Sequence, residues 1–387
     1  MDEKYSIPPI LKYVAAIFVL IGILTVSFGL YFESEVTWAN LLLNNYYFIS
    51  LVIGATFFYS IQYITQSGWS AQFQRIPMAF GSYLPYAAIL ILFLIFGINH
   101  LYHWSLPDAG AHDVVIEHKA PYLNIPFFFT RIIIFFALWI LMTRLLKNVS
   151  IKEDKESGMK YFNKSEIYSK IYIFILAVTF SLFTFDLIMS IDVHWFSTIF
   201  AVMNFVSGFY HAVAIITLII IVLNRYGYFK SLNKSHLQSF SKYLFILSLI
   251  WAYLWFIQFL VIWFVNIHEE TIYYIVRTKG NWRIFFFTNI ILNWAIPFIV
   301  LLSGKAKQSK PVLLLICFIL IIGQWVDLYL QIMPGTVGEP GIGLVEIGTF
   351  VGFSGLFILI VSRALSLSPI IPKNHPYLNE SINHHLD

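Results

Sequence analysis

Ten runs of mostly apolar residues follow one another along this chain, at approximately 10–31, 42–64, 76–98, 122–146, 167–190, 195–224, 240–266, 282–303, 311–333 and 341–364. A helix needs roughly 20 such residues to cross the hydrocarbon core of a bilayer. Hydrocarbon offers no partner to exposed backbone N–H and C=O groups, so each run is expected to be helical. The expected fold is an all-α polytopic membrane protein of about ten transmembrane helices, forming a single integral membrane domain over 1–387. With 59% hydrophobic and only 11% charged residues, the chain falls far below the about one quarter charged residues of a soluble domain. The first apolar run is too long for the h-region of a cleavable signal.

Lysine and arginine give the expected orientation. With the N-terminus inside, all but Lys119, Arg131, Arg277, Lys279 and Arg283 of the 24 basic residues fall on the inner side. The positive-inside rule then places both termini in the cytoplasm. The net charge of +4 is explained by those loops and gives no reason to expect nucleic acid. The single cysteine, Cys317, lies inside an apolar run. One thiol excludes an internal disulfide, a CxxCH haem attachment and a cysteine-ligated iron–sulfur cluster in this chain.

Short matches recur about four helices apart. Phe127-Phe128-Phe129-Thr130-Arg131 in helix 4 matches Phe285-Phe286-Phe287-Thr288-Asn289 in helix 8. Asp186-Leu187 in helix 5 matches Asp327-Leu328 in helix 9, and Phe58-Tyr59-Ser60 in helix 2 matches Phe209-Tyr210-His211 in helix 6. Asn99-His100 ends helix 3 where Asn266-Ile267-His268 ends helix 7. An even helix offset gives both copies one orientation. The expected architecture is two tandem four-helix bundles, 42–190 and 195–333, flanked by helices 1 and 10. Residues 365–387 are expected to form a cytoplasmic tail with a disordered His384-His385 end. Chance similarity between apolar strings is the competing explanation.

A charge at mid-membrane costs about 2.5–3.5 kcal/mol on insertion scales, so each one needs a partner or water. The candidates are Asp186, Asp327, Glu346, Arg131 and His211, with Tyr210, Gln324, Asn204 and Asn289 as supporting polar groups. The link between helices 5 and 6 adds Asp192 and His194 at the outer level. Such a set could relay protons or contact a polar headgroup. Set against this, Asp186 and Asp327 could be half-solvated near helix ends, and Arg131 could be a structural counter-ion. A lone buried histidine such as His211 is more often hydrogen-bonded in a bundle than a ligand. No residue is assigned to a metal or to catalysis.

The stretch from Asp186 to Phe200, DLIMSIDVHWFSTIF, is the most distinctive in the chain. It resembles the F subunit of alternative complex III, the bacterial quinol:cytochrome c oxidoreductase, described as quinone-binding subunit 2. That family belongs with the ten-helix membrane subunits of the NrfD and polysulfide-reductase type. The resemblance covers the whole chain in length, helix count and paired-bundle layout, and is motif-specific around Asp186–Phe200.

The resemblance implies a place in the bacterial inner membrane beside a related ten-helix NrfD-like subunit, an iron–sulfur protein and multihaem cytochrome c subunits. Electrons would pass to cytochrome c or directly to a terminal oxidase, through haem c and iron–sulfur clusters in the partner chains. This chain, with no covalently bound cofactor, would contribute a proton path, quinone or quinol contacts, and scaffolding. Quinol oxidation releases two protons with its two electrons, and protons need carboxylate or histidine acceptors. The matched acids of the two bundles favour proton conduction. A secondary transporter using its intramembrane acids and histidine is the rival reading, although Pro297 in helix 8 has no counterpart in the matching part of helix 4. A purely structural anchor would leave the buried acids unexplained.

Overall fold

A computed structural model of the protein describes residues 5–385. Ten of its helices are long and apolar enough to cross a membrane, and no β-strand occurs among the described residues. They are helix 1 (Pro9–Phe32), helix 2 (Ser34–Ile64), helix 3 (Ala71–Leu101), helix 4 (Ile125–Glu153), helix 5 (Met159–Ile191), helix 6 (Thr198–Arg225), helix 7 (Lys234–Val265), helix 8 (Trp282–Leu302), helix 9 (Lys310–Gly335) and helix 10 (Leu344–Ser366). Several run beyond their apolar stretches. Helix 2 starts well before residue 42 because Asn40, Asn44 and Asn45 are buried against other helices rather than set in lipid.

Helix 2 is the least apolar of the ten and almost wholly buried, whereas helix 1 is among the most apolar and largely exposed. Lipid reverses the pattern of a soluble protein: the outside must be apolar, and polar side chains are tolerated only between helices. Helix 2 packs on helices 3, 5, 6, 9 and 10. Helices 2–3, 3–4, 4–5 and 5–2 close one four-helix ring, and helices 6–7, 7–8, 8–9 and 9–6 close a second. The rings meet chiefly along helices 2 and 6. There Gly54 lies so close to the Gly208 carbonyl that a Cβ would collide with that oxygen. Helix 1 packs along helix 10, with Gly22 against Gly352, the small-residue contact that draws membrane helices together.

Both described ends of the chain lie on one face of the molecule, here the termini face. Tyr5 packs edge-on against Tyr228, between helices 6 and 7, with ring centroids 5.7 Å apart. The tail is docked rather than disordered up to His384. The Ser381 hydroxyl donates to the Trp69 carbonyl (2.8 Å), and Asn233 Nδ2 donates to the His384 carbonyl (2.8 Å). Buried His375 is wedged between Tyr63 and Phe162. A tail rich in histidine, serine and asparagine looks disordered by composition, but here those groups meet the open polar ends of helices 2, 5 and 7. The opposite, far face carries a short amphipathic helix, His268–Thr278, between helices 7 and 8.

Candidate functional site

The acids of helices 5 and 9 are both buried, and each is met by the matching residue of its own bundle. In the first bundle Arg131 donates to Asp186 through Nε (2.8 Å) and Nη2 (3.0 Å). Its Nη1 donates to the Tyr122 carbonyl (2.9 Å), and its guanidinium lies 3.9 Å from the Tyr122 ring centroid and 4.3 Å from that of Phe127. The paired nitrogens match the carboxylate fork, so this ion pair is held in one geometry. Asp186 and Arg131 are 0% and 6% exposed.

In the second bundle Asn289 takes the place of Arg131 and donates through Nδ2 to Asp327 Oδ1 (2.8 Å). The other oxygen, Oδ2, accepts from Ser207 Oγ (3.2 Å), Gln331 Nε2 (3.3 Å) and Trp251 Nε1 (3.4 Å). No cation contacts Asp327 among the described residues. From Asn289 the network continues toward mid-helix. Asn293 Nδ2 donates to Asn289 Oδ1 (2.6 Å), and Gln324 Nε2 donates to Asn293 Oδ1 (2.8 Å).

Helix 8 gives way beside this network. Residues Ile291–Ala295 form a π-helical turn, followed by Pro297. Proline has no N–H to offer the carbonyl four residues earlier, which belongs to Asn293. The Tyr210 hydroxyl donates to that carbonyl instead (3.3 Å). Four of the expected polar residues, Asn289, Gln324, Tyr210 and Asp327, thus join one cluster. Ser207, Trp251, Gln331 and Asn293 were not anticipated. Gln331 and Asn293 lie four residues beyond Asp327 and Asn289 on the same helical faces, a signal the sequence did carry.

The other candidates stand apart. His211 is 1% exposed; its ring centroid lies 4.3 Å from that of Tyr47, and its Nε2 has no hydrogen-bond partner. Asn204 Nδ2 donates to the Phe200 carbonyl of its own helix (3.0 Å). Glu346, in the first turn of helix 10, accepts from the Gly343 N–H (2.8 Å) and from Asn40 Nδ2 (3.1 Å). It satisfies an otherwise unpaired donor at the helix start, the reach-back half of a capping box. His194 is well exposed and pairs with Asp113 (2.8 Å).

Asp192 pairs with Arg277 (3.2 Å) on the far face. Arg277 also donates to the Leu330 and Gln331 carbonyls (2.8 and 3.0 Å) near the end of helix 9; the residue four beyond Leu330 is Pro334, which has no N–H to offer. Its guanidinium lies 3.4 Å from the Tyr273 ring centroid, and Tyr273 stacks on Trp195 with centroids 3.9 Å apart. Arg277 therefore covers the far-face end of the Asp327 cluster through the backbone of Gln331.

A second buried polar group lies at the termini face of the first bundle. Arg75 Nη2 bonds Asp154 (2.6 Å) and the Ser150 carbonyl (3.1 Å), which leaves its Nε and Nη1 without hydrogen bonds. The carboxylate oxygens of Glu153, the Tyr59 and Tyr63 hydroxyls and His375 Nε2 are likewise buried without a hydrogen bond of good geometry. Arg75 and Glu153 escaped sequence reading because helices 3 and 4 run past the apolar segments 76–98 and 122–146.

Among the described residues, Asp186, His211 and Asp327 do not line the better-formed surface clefts. A cleft beside Trp195, Tyr273, Asp192 and His194 does bring aromatic surface and titratable groups together on the far face. Among the described residues no group of three or more His, Cys, Asp and Glu is arranged to hold a metal ion. No protein-family model matches the chain, and no curated protein matches it.

Proposed function

We propose that this chain is a membrane subunit of a respiratory quinol:cytochrome c oxidoreductase of the alternative complex III type, and that its own task is to carry protons. The observation that supports the proton role is the contrast between the two matched acids: Asp186 has a bidentate guanidinium counter-charge, and Asp327 has only neutral donors. An uncompensated buried charge is costly, so Asp327 is the acid of the two suited to exchanging a proton. Gln331 links it toward the Asp192–Arg277 corner, and Asn289, Asn293, Gln324 and Tyr210 extend the polar string toward mid-membrane. The buried polar group around Glu153 and Arg75 lies in the first bundle, toward the other face. The two halves of the path therefore lie in different bundles.

In this reading the termini face is cytoplasmic, in the inner membrane of a bacterium. Quinol oxidation, haem c and iron–sulfur clusters belong to partner chains: a related ten-helix subunit, an iron–sulfur protein and multihaem cytochromes, with a terminal oxidase as one electron acceptor. This chain's quinone contact would be at the Trp195–Tyr273 corner. A secondary transporter is the second reading, and the interrupted helix 8 beside a buried acid favours it.

The test is to purify the tagged chain in mild detergent from cells carrying either native protein or D327N, then measure quinol:cytochrome c reduction and proton release in vesicles. Co-purification of haem c and an iron–sulfur protein, with proton release lost in D327N, is the expected result. A colourless chain that purifies alone refutes the complex assignment and leaves transport. Unchanged proton release in D327N refutes the proton role.

A further inference from the structure

Helices 3 and 4 leave a lipid-facing cleft between them on the termini-face half of the molecule, lined by Met78, Ser82, Tyr86, Thr143, Arg144 and Lys147. Two cations sit in it, and neither pairs with a carboxylate among the described residues. Lys147 Nζ approaches only the Ser82 hydroxyl (3.4 Å), and Arg144 is exposed. The nearby buried acids are otherwise engaged: Asp154 by Arg75, and Glu153 by enclosure in the bundle interior.

The cleft exists because helix 3 changes form there. Gly81–Tyr83 is a 3-10 turn ahead of Pro85, and Gly81 approaches helix 4 so closely that a Cβ would sit 3.1 Å from Thr143 Cβ. That approach closes the back of the cleft and leaves the front open to lipid.

Depth fixes what the cations meet. Helix 4 has 29 residues, about 43 Å at 1.5 Å per residue, close to a whole bilayer with its headgroups. Lys147 and Arg144 start about 9 and 14 Å from the helix end at Glu153. Long basic side chains at that depth snorkel to the level where headgroup meets hydrocarbon. Toward mid-membrane the same two helices present exposed Ile89, Leu141, Ile133 and Ile134, an apolar surface for acyl chains.

We propose that this cleft is a binding site for an anionic phospholipid: Arg144 and Lys147 hold the phosphate, the Ser82 hydroxyl adds a hydrogen bond, and the acyl chains lie along Ile89 and Leu141. Basic pockets between transmembrane helices recognise such headgroups by charge and hydrogen bonding together. The site needs no assumption about protons or quinol.

The experiment is native mass spectrometry of the full chain, with whatever subunits accompany it, after exchange into micelles containing phosphatidylglycerol, cardiolipin or phosphatidylcholine. Retention of the anionic lipids over phosphatidylcholine, falling at least tenfold in R144Q/K147Q, is the expected result. The charge-preserving R144K/K147R variant should retain lipid, and K305Q/K307Q, altered at a different edge of the same face, should bind as the native chain does. Undiminished retention in R144Q/K147Q overturns the site, and so does loss in R144K/K147R equal to that in R144Q/K147Q. Equal displacement of lipid by millimolar inorganic phosphate also overturns it, because the cleft would then select phosphate alone.

Discussion

Asn289 stands 2.8 Å from Asp327 at the position where the first bundle sets Arg131 against Asp186. The two bundles share one geometry at this level and differ in its electrostatics. One acid is locked in an ion pair with its cation further held by Tyr122. The other is cradled by an amide, a hydroxyl, an indole and a second amide.

Asp186→Asn and Asp327→Asn should consequently differ in stability. Removing one partner of a buried ion pair strands the other charge, at a cost of about 3–5 kcal/mol. Asp186→Asn strands Arg131 in this way. Asp327→Asn strands no charge, and its amide oxygen can still accept from Asn289, but its NH2 then faces the Trp251 and Gln331 donors, so the loss should be about 1–3 kcal/mol. Thermal unfolding of the two variants in the same detergent checks the order. Equal loss in both would mean that Arg131 is satisfied by Tyr122 and its ring contacts alone.

Among the described residues, Tyr210 is the only side chain donating to the Asn293 carbonyl, which Pro297 has no N–H to meet, and Tyr210→Phe removes that donor. A buried unsatisfied carbonyl costs about 1–3 kcal/mol. In a Pro297→Ala background the residue at 297 regains an N–H, so Tyr210→Phe should become nearly neutral there. A double-mutant cycle on unfolding measures the coupling, and additive effects would show that the proline does not create the need for Tyr210.

The spans were legible in the sequence because hydropathy follows directly from the demands of lipid, and the repeated Phe-Phe-Phe-Thr and Asp-Leu strings marked the positions that become the two acid sites. What each acid meets was not legible. Depth along a helix does not give rotation about it, so Asp327 could be placed near Asn289 in height but not aimed at it. Glu346 read as an acid in the outer turns of helix 10, where it does lie, but its part as a helix-start staple was not legible, because the apolar run from 341 begins before the helix does. Arg277 read as a loop charge; an amphipathic helix between two spans has no apolar run to reveal it. Arg75 and Glu153 fell outside the apolar runs for a related reason, since buried helix ends need not be apolar.

Gly352→Leu should separate helices 1 and 10. A Cβ at residue 352 would lie 2.5 Å from Gly22 Cα, so the backbones must move apart. Overpacking of this kind costs about 1–3 kcal/mol. The expected signs are a lower unfolding temperature and cysteine crosslinking lost between these two helices, with helix packing in the two bundles unchanged. An unaltered crosslink would mean that the contact at Gly22 yields cheaply.

Docking of the tail should weaken in mild acid. Burial between Tyr63 and Phe162 pushes the His375 imidazole down to about 4 from an ordinary value of 6.5, and the charge of Arg75 pushes the same way. The ring's Nδ1 accepts from the Tyr377 N–H (3.2 Å), which fits the neutral form. The sign follows from proton counting. Between pH 6.5 and 4 the undocked tail binds a proton that the docked tail refuses, so acid favours undocking. The stabilisation from neutral His375 is complete above about pH 6.5, declines by up to about 1.4 kcal/mol per pH unit below it, and levels off below about pH 4. Limited proteolysis at the residues following Ser366, between pH 7.5 and 5, should accelerate in the native chain and change little in His375→Phe. A native chain whose cleavage rate ignores pH across that range would show that His375 does not govern the docking of the tail.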